Sequence, residues 1–346
     1  MKPVLPLLVL LTALPAGATT PDDCLADLNA LEAVVRRVAP SDAPPGGLVA
    51  LLTAPPTVED GFCTLPEQVV SLSTAGSMIQ ELVFGPIRWQ AEWADPTRPF
   101  PPARLSLRVD RVMNLIVAGP KEMDVMDVMG DIGPVIAYQS RLINEVSPYH
   151  LALDLTFDAP TKTAEITNFT VQHGDWDGLS FRARVTDLDL GAMFSADPGT
   201  LPPLDRLMPA RLHHVDLSLT NFTIFEVMAM AWMNWIYPAM GDTPEAALAA
   251  TVAQAKTQVA SVPAPLMAPE SRAALVAMLD SLPHPTGRLQ LVLDAPDGIE
   301  PARIATTVAL VAEPDWASFT PLLQGASLSA SWTPIDPRPQ PSPAEH

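Results

Sequence analysis

Ala210 to Met240 reads ARLHHVDLSLTNFTIFEVMAMAWMNWIYPAM, and its change of period decides how the chain is expected to fold. Its first half alternates. Val215, Leu217 and Leu219 face one way and Asp216, Ser218 and Thr220 the other, the two-residue repeat of a half-buried strand. From Ile224 to Tyr237 almost every position is apolar or aromatic, with Glu226 and Asn234 the strongly polar interruptions, so a helix here has no face suited to water. The apolar run is about 15 residues, short of the roughly 20 that cross a bilayer. A buried helix near 224–240, covered by neighbouring layers, is therefore expected.

The same alternation recurs on either side. Leu105, Leu107 and Val109 oppose Ser106, Arg108 and Asp110, and Leu151, Leu153, Leu155 and Phe157 form another apolar row. Asp158-Ala159-Pro160-Thr161 turns the chain, Ala164 to Gln172 returns, and Leu179 to Leu190 follows as a third strand. Later, Leu289, Leu291 and Leu293 precede turn chemistry at Asp294 to Gly298, a strand is expected from Ala302 to Val311, and another ends at Trp332. The mixed stretch Leu65 to Trp93 is also read as strands. Two short similarities, Ile166 to Val171 with Leu219 to Ile224 and Asp158-Ala159-Pro160 with Asp294-Ala295-Pro296, follow equally from shared strand and turn chemistry.

Helices are marked by their starts and by a wider period. Thr20 caps a first helix with Pro21 at its first position and Asp22 and Asp23 in its first turn. A region from 121 to 146 is broken by Gly130, Gly133 and Pro134, and Thr243-Pro244 opens an amphipathic helix followed by one carrying Leu275, Met278, Leu279 and Leu282. The expected class is α+β: a meander-like antiparallel sheet of about seven to nine strands with one face covered by several helices. The expected organisation is a signal peptide over 1–18, a helix and proline-rich, disulfide-closed region over 19–102, a main domain over 103–333 with helical segments 121–146 and 224–282, and a disordered proline-rich tail over 334–346.

Residues 1–20, MKPVLPLLVLLTALPAGATT, have one basic residue, an apolar run from Pro3 to Leu14 and a small-residue site at Ala16-Gly17-Ala18, the pattern of a secretory leader cut near Ala18. A periplasmic or secreted location is expected. Two cysteines in an exported chain, Cys24 and Cys63, are most economically a disulfide. With Lys2 removed, 19 basic against 39 acidic side chains give a formal charge of 19 − 39 = −20. A surface this acidic repels nucleic acid.

Chemistry-bearing motifs are scarce. The repeat MDVMDVM places Met123, Met126 and Met129 near one helical face, and thioethers are soft ligands for Cu(I). Packing is the commoner use of methionine. His150, His173, His213, His214, His284 and His346 show no metal-ligand spacing, and Asp175 to Gly178 lacks the further ligands of a calcium loop. There is no nucleophile elbow and no glycine-rich phosphate loop, and pairs such as Asp187 and Asp189 are expected by chance in so acidic a chain. The expectation is a non-catalytic exported protein, without a cofactor, that binds a lipid-like hydrophobic molecule or an envelope protein through an apolar groove beside Met228, Met230, Trp232, Met233, Trp235 and Tyr237. Two alternatives remain open: a periplasmic Cu(I)-buffering protein using the methionines, and a hydrolase using converging carboxylates.

Overall fold

Alternation of apolar and polar residues, repeated from one end of the chain to the other, assembles a single twelve-stranded antiparallel sheet in the computed structural model. The structure describes residues 19–38, 54–73, 78–94, 101–118, 149–173, 177–190, 208–221, 243–282, 285–310 and 316–335. The strands are β1 (Thr57–Glu59), β2 (Phe62–Leu65), β3 (Gln68–Ser73), β4 (Met78–Phe84), β5 (Ile87–Glu92) and β6 (Arg104–Ala118), then β7 (Tyr149–Asp158), β8 (Thr163–His173), β9 (Asp177–Thr186), β10 (Arg211–Asn221), β11 (Gly287–Ile299) and β12 (Ser327–Pro334). Spatial order follows chain order along β1-β2-β5-β6-β7-β8-β9-β10-β11-β12, with β3 and β4 paired to each other and β4 also to β6.

The departure at β3 and β4 has a simple cause. Strands β2–β3 and β4–β5 form one long hairpin interrupted at Pro66-Glu67 and Gly85-Pro86, where the two prolines have no N–H to give to a ladder. Strand β6 runs past both halves: its first part pairs with β5, and Val112 to Ala118 pairs with β4. Across the interruption the Gly85 N–H donates to the Arg111 carbonyl at 2.6 Å and the Asp110 N–H to the Pro86 carbonyl at 3.2 Å, so the ladder is carried through. At the start of the sheet Asp60 and Gly61 both have positive φ, 51° and 79°, as a two-residue type I′ hairpin between β1 and β2 requires.

Helix α1 (Pro21–Val38) begins as its sequence dictates. The Asp23 N–H donates to Thr20 Oγ1 at 3.2 Å and the Thr20 N–H to Asp23 Oδ2 at 3.0 Å, a reciprocal cap. It is fixed to the sheet by two further devices. Cys24 and Cys63 form a disulfide, buried to 0% and 1% exposure, and Asp27, 9% exposed, accepts the indole N–H of Trp89 at 3.3 Å and that of Trp93 at 2.7 Å. Leu28, Leu65, Ile87 and Leu107 pack around them.

The other helices among the described residues gather at the other end: α2 (Pro244–Ser261), α3 (Pro269–Asp280), α4 (Pro301–Leu310) and the single turn α5 (Trp316–Phe319). Val262, Leu266, Met267, Ala295, Ile299 and Ala326 form their core, joined by Leu212, Leu293, Ile304 and Trp316. They also cover the outer edge of β12. The Leu328 N–H donates to the Leu266 carbonyl at 2.7 Å and the Ala330 N–H to Ser271 Oγ at 3.0 Å, leaving those donors satisfied without another strand.

This architecture overturns the expected α+β class, a sheet of about seven to nine strands with helices across one face. The sheet has twelve strands, strand outweighs helix, and the described helices sit at its two ends. Two local readings are also corrected. Asp294 to Gly298 does not turn the chain: β11 runs on, and the extra residues form an irregular bulge between the pairs His214–Asp294 and Leu212–Ile299. The strand expected from Ala302 to Val311 is helix α4, entered through Pro301, with Thr306 and Thr307 donating their hydroxyls to the Ala302 and Arg303 carbonyls one turn back. Asp158-Ala159-Pro160 does lie at a turn, so the two Asp-Ala-Pro segments are not structural equivalents. The apolar stretch 224–240 and the segment 121–146 lie outside the described residues.

The disulfide closes a loop with a sequence separation of 39 residues, for which the chain-entropy relation gives about 4 kcal/mol. Replacing both partners, Cys24→Ser with Cys63→Ser, is expected to lower unfolding stability by roughly 2–5 kcal/mol in urea titration followed by tryptophan fluorescence. A change below about 0.5 kcal/mol would show that the N-terminal end holds without it.

Candidate functional site

Register turns single alternating strands into a continuous surface. Cys63 pairs with Trp89, Trp89 with Leu107, Leu107 with Leu153 and Leu153 with Phe169. The row continues through Phe181, Leu217, Leu291 and Ala330, so one line of apolar side chains crosses the sheet from β2 to β12. A parallel row runs Leu65, Ile87, Val109, Leu151, Val171, Leu179, Leu219, Leu289, Trp332. A third begins at Leu105 and reaches Leu328 through Leu155, Ile166, Ala183, Val215 and Leu293. Gly287 lets the second row close: a Cβ there would lie 2.5 Å from the Trp332 ring.

Burial is uneven along these rows. At the α1 end Cys63, Leu65, Trp89 and Val109 are buried, and at the opposite end the helical cluster covers Ala295 and Ile299. Between the ends, Leu153, Leu155, Phe169, Phe181, Val215 and Leu217 are only half-buried. These keep contact with solvent, and both end clusters stand on the same side of the sheet as they do. Among the described residues, the result is an apolar sheet face over β6–β10 with a helical cluster at each end.

The opposite face is polar and locks the same strands. Arg108 on β6 donates to both carboxylate oxygens of Asp154 on β7, at 2.9 and 2.8 Å, while Ser106 Oγ donates at 2.8 Å and Asn168 Nδ2, from β8, at 3.1 Å. Burial opposes ionisation of Asp154, but the hydrogen bonds from Ser106, Asn168 and Arg108, with the Arg108 charge, outweigh it and hold the carboxyl below its usual range. That shift is opposite in direction to the one a general acid needs.

The other groups singled out by sequence are not brought together. Met228, Met230, Trp232, Met233, Trp235 and Tyr237, and also Met123, Met126 and Met129, lie outside the described residues. Cys24 and Cys63 are the disulfide. His214 pairs with Asp294 at 2.7 Å, while His213, the extra residue of a bulge in β10, contacts Thr186 Oγ1 at 2.9 Å and the Pro296 carbonyl at 3.2 Å. Asp187, at φ 56°, ends β9, and Asp189 bonds the Lys162 ammonium at 2.8 Å, so these two do not act as a carboxylate pair on a strand. Among the described residues no group of three or more His, Cys, Asp or Glu converges as a metal site, and no helix is long and apolar enough to cross a membrane. A cleft of about 660 Å³ lies between the α2–α3 loop (Pro263, Pro265, Leu266) and Thr320 to Ser327, and its lining bears no titratable side chain.

No protein-family model matches the chain, and comparison with characterised proteins and with solved structures gives no match.

Because the folded Asp154 carboxyl titrates below the unfolded value of about 3.9, its contribution is complete above that value and is lost as pH falls through the folded one. Asp154→Asn is therefore expected to cost roughly 1–3 kcal/mol near neutrality, with the gap to wild type closing below about pH 4 in urea midpoints measured from pH 2 to 7. A gap independent of pH would assign the loss to packing instead.

Proposed function

We propose that this protein is an exported, non-catalytic binding protein that holds a hydrophobic, acyl-type ligand against the apolar sheet face over β6–β10. The observation that carries the reading is the row Leu153, Phe169, Phe181, Leu217: laterally paired on both sides yet half-buried on the face. Extended apolar surface left in contact with water marks a place where another apolar body docks. An acyl chain offers methylenes to every row and asks for no hydrogen bond, which suits three rows that over β6–β10 consist of Leu, Phe, Val, Ile and Ala. Export is supported by the apolar leader at residues 3–14, and a disulfide is compatible with an oxidising compartment.

The test is displacement of a fluorescent fatty-acyl probe, together with native mass spectrometry of the purified chain for co-purifying lipid. Phe181→Glu and Leu217→Glu each place a charge in the central row and are expected to weaken probe binding at least tenfold. Ser331→Glu, which puts the same charge on the exposed opposite face of β12, is expected to leave it unchanged. Absence of binding to any acyl probe, or equal loss in all three variants, would remove the proposal.

A further inference from the structure

An open sheet has outer strands, and each carries a row of backbone N–H and C=O groups that its inner neighbour does not take. Two of the outer strands are closed. β12 donates to Leu266 and Ser271, while β1 is three residues long, ends in Glu59 and has Val58 packed against the α1 cluster. The third is β3, which pairs with β4 on one side and, among the described residues, with no strand on the other. Its first residue is occupied: Gln68 is 5% exposed and its side-chain amide donates to the Pro66 carbonyl at 2.8 Å. From Val69, which is 44% exposed, the strand reads Val-Val-Ser-Leu-Ser, without the prolines, lysines or bulges that blunt an edge.

We infer that β3 is the docking edge for a second copy of this chain, joined antiparallel to its own β3 about a two-fold axis perpendicular to the sheet. Charge argues for that occupant. The chain has a formal net charge of −19, so two copies repel over most of their surface, yet Gln68 to Ser73 carries no charge and Glu67, just before it, is paired with Arg111. Geometry argues the same way, because an edge strand takes up another extended edge, and among the described outer strands β3 is the one that offers it. A two-fold contact is isologous, so it uses the edge of both copies and stops at a dimer. It also keeps like faces together, which places the two Val69 side chains on the same side of the joined sheet. The inference stands apart from acyl binding and does not depend on it.

The experiment is sedimentation velocity of the full, disulfide-bonded chain over a concentration series at low and high salt, with amide hydrogen exchange of the β3 peptide read at both ends of the series. A monomer–dimer equilibrium is expected, tighter at high salt because repulsion between the acidic copies is screened, with slower exchange in β3 at the higher concentration. Val70→Pro and Ser71→Pro each remove one N–H. Neighbouring residues point theirs to opposite sides of a strand, so one of the two variants loses an outward N–H and keeps the β3–β4 pairing whole. That variant is expected to weaken the dimer about tenfold or more, since the lost bond counts once from each copy. Should neither variant fold, exchange in the wild-type chain decides. A monomer at every concentration, species larger than a dimer, unchanged exchange in β3, or undiminished dimers in both variants would overturn the inference.

Discussion

Everything in this molecule depends on register. Because side chains alternate between faces, a slip of a single residue in any one pairing would send that strand's leucines to the polar side and break every row that passes through it. The structure guards against this with contacts on the side away from the apolar rows. Arg108, Ser106, Asp154 and Asn168 tie β6, β7 and β8 together through one carboxylate, and Gln290 reaches Asp216 at 3.1 Å to do the same for β10 and β11. Apolar continuity on one face is thus a product of polar specificity on the other.

Where strands must bend, the polar face and the ends absorb the irregularity. Bulges fall at Val109–Val112 in β6, Ile166–Phe169 in β8 and Leu212–His214 in β10, and after each of them the apolar rows resume in phase. The last is the most costly in sequence, with Ala295 to Gly298 on β11 set against His213 alone on β10. It also delivers Ala295 and Ile299 into the core beneath the α2–α5 cluster, so the irregularity fastens that cluster to the sheet.

Much of the sheet is legible in the amino-acid pattern alone. Leu105 to Val109, Leu151 to Phe157, Val215 to Leu219 and Leu289 to Leu293 are strands because their period of two admits no helix of sensible polarity. What fails is any feature decided outside the segment being read. Asp294-Ala295-Pro296-Asp297-Gly298 has the chemistry of a turn, but Leu212 on the neighbouring strand still has a partner in Ile299, and that pairing keeps β11 extended. Ile304-Ala305-Thr306-Thr307-Val308 has β-branched residues in close succession, yet Pro301 sets a helical start and the threonine hydroxyls bond within the helix. The continuous apolar face is hidden for a different reason: Leu, Val and Phe carry no motif, and only the order in which strands pair reveals that their rows align. The methionine- and tryptophan-rich stretch stands out by composition, whereas the described apolar rows are drawn from ordinary strand residues.

Strand order that equals chain order has a consequence for how the protein is made. A chain synthesised from its N-terminus presents each strand after the neighbour it must join, with the β3–β4 arm completed when β6 arrives. Cys24 and Cys63 both precede β6, so the covalent bond can anchor the first hairpin before the long central strands emerge. Assembly then proceeds as a zipper with one growing edge, and that edge is sealed only when β12 meets Leu266 and Ser271.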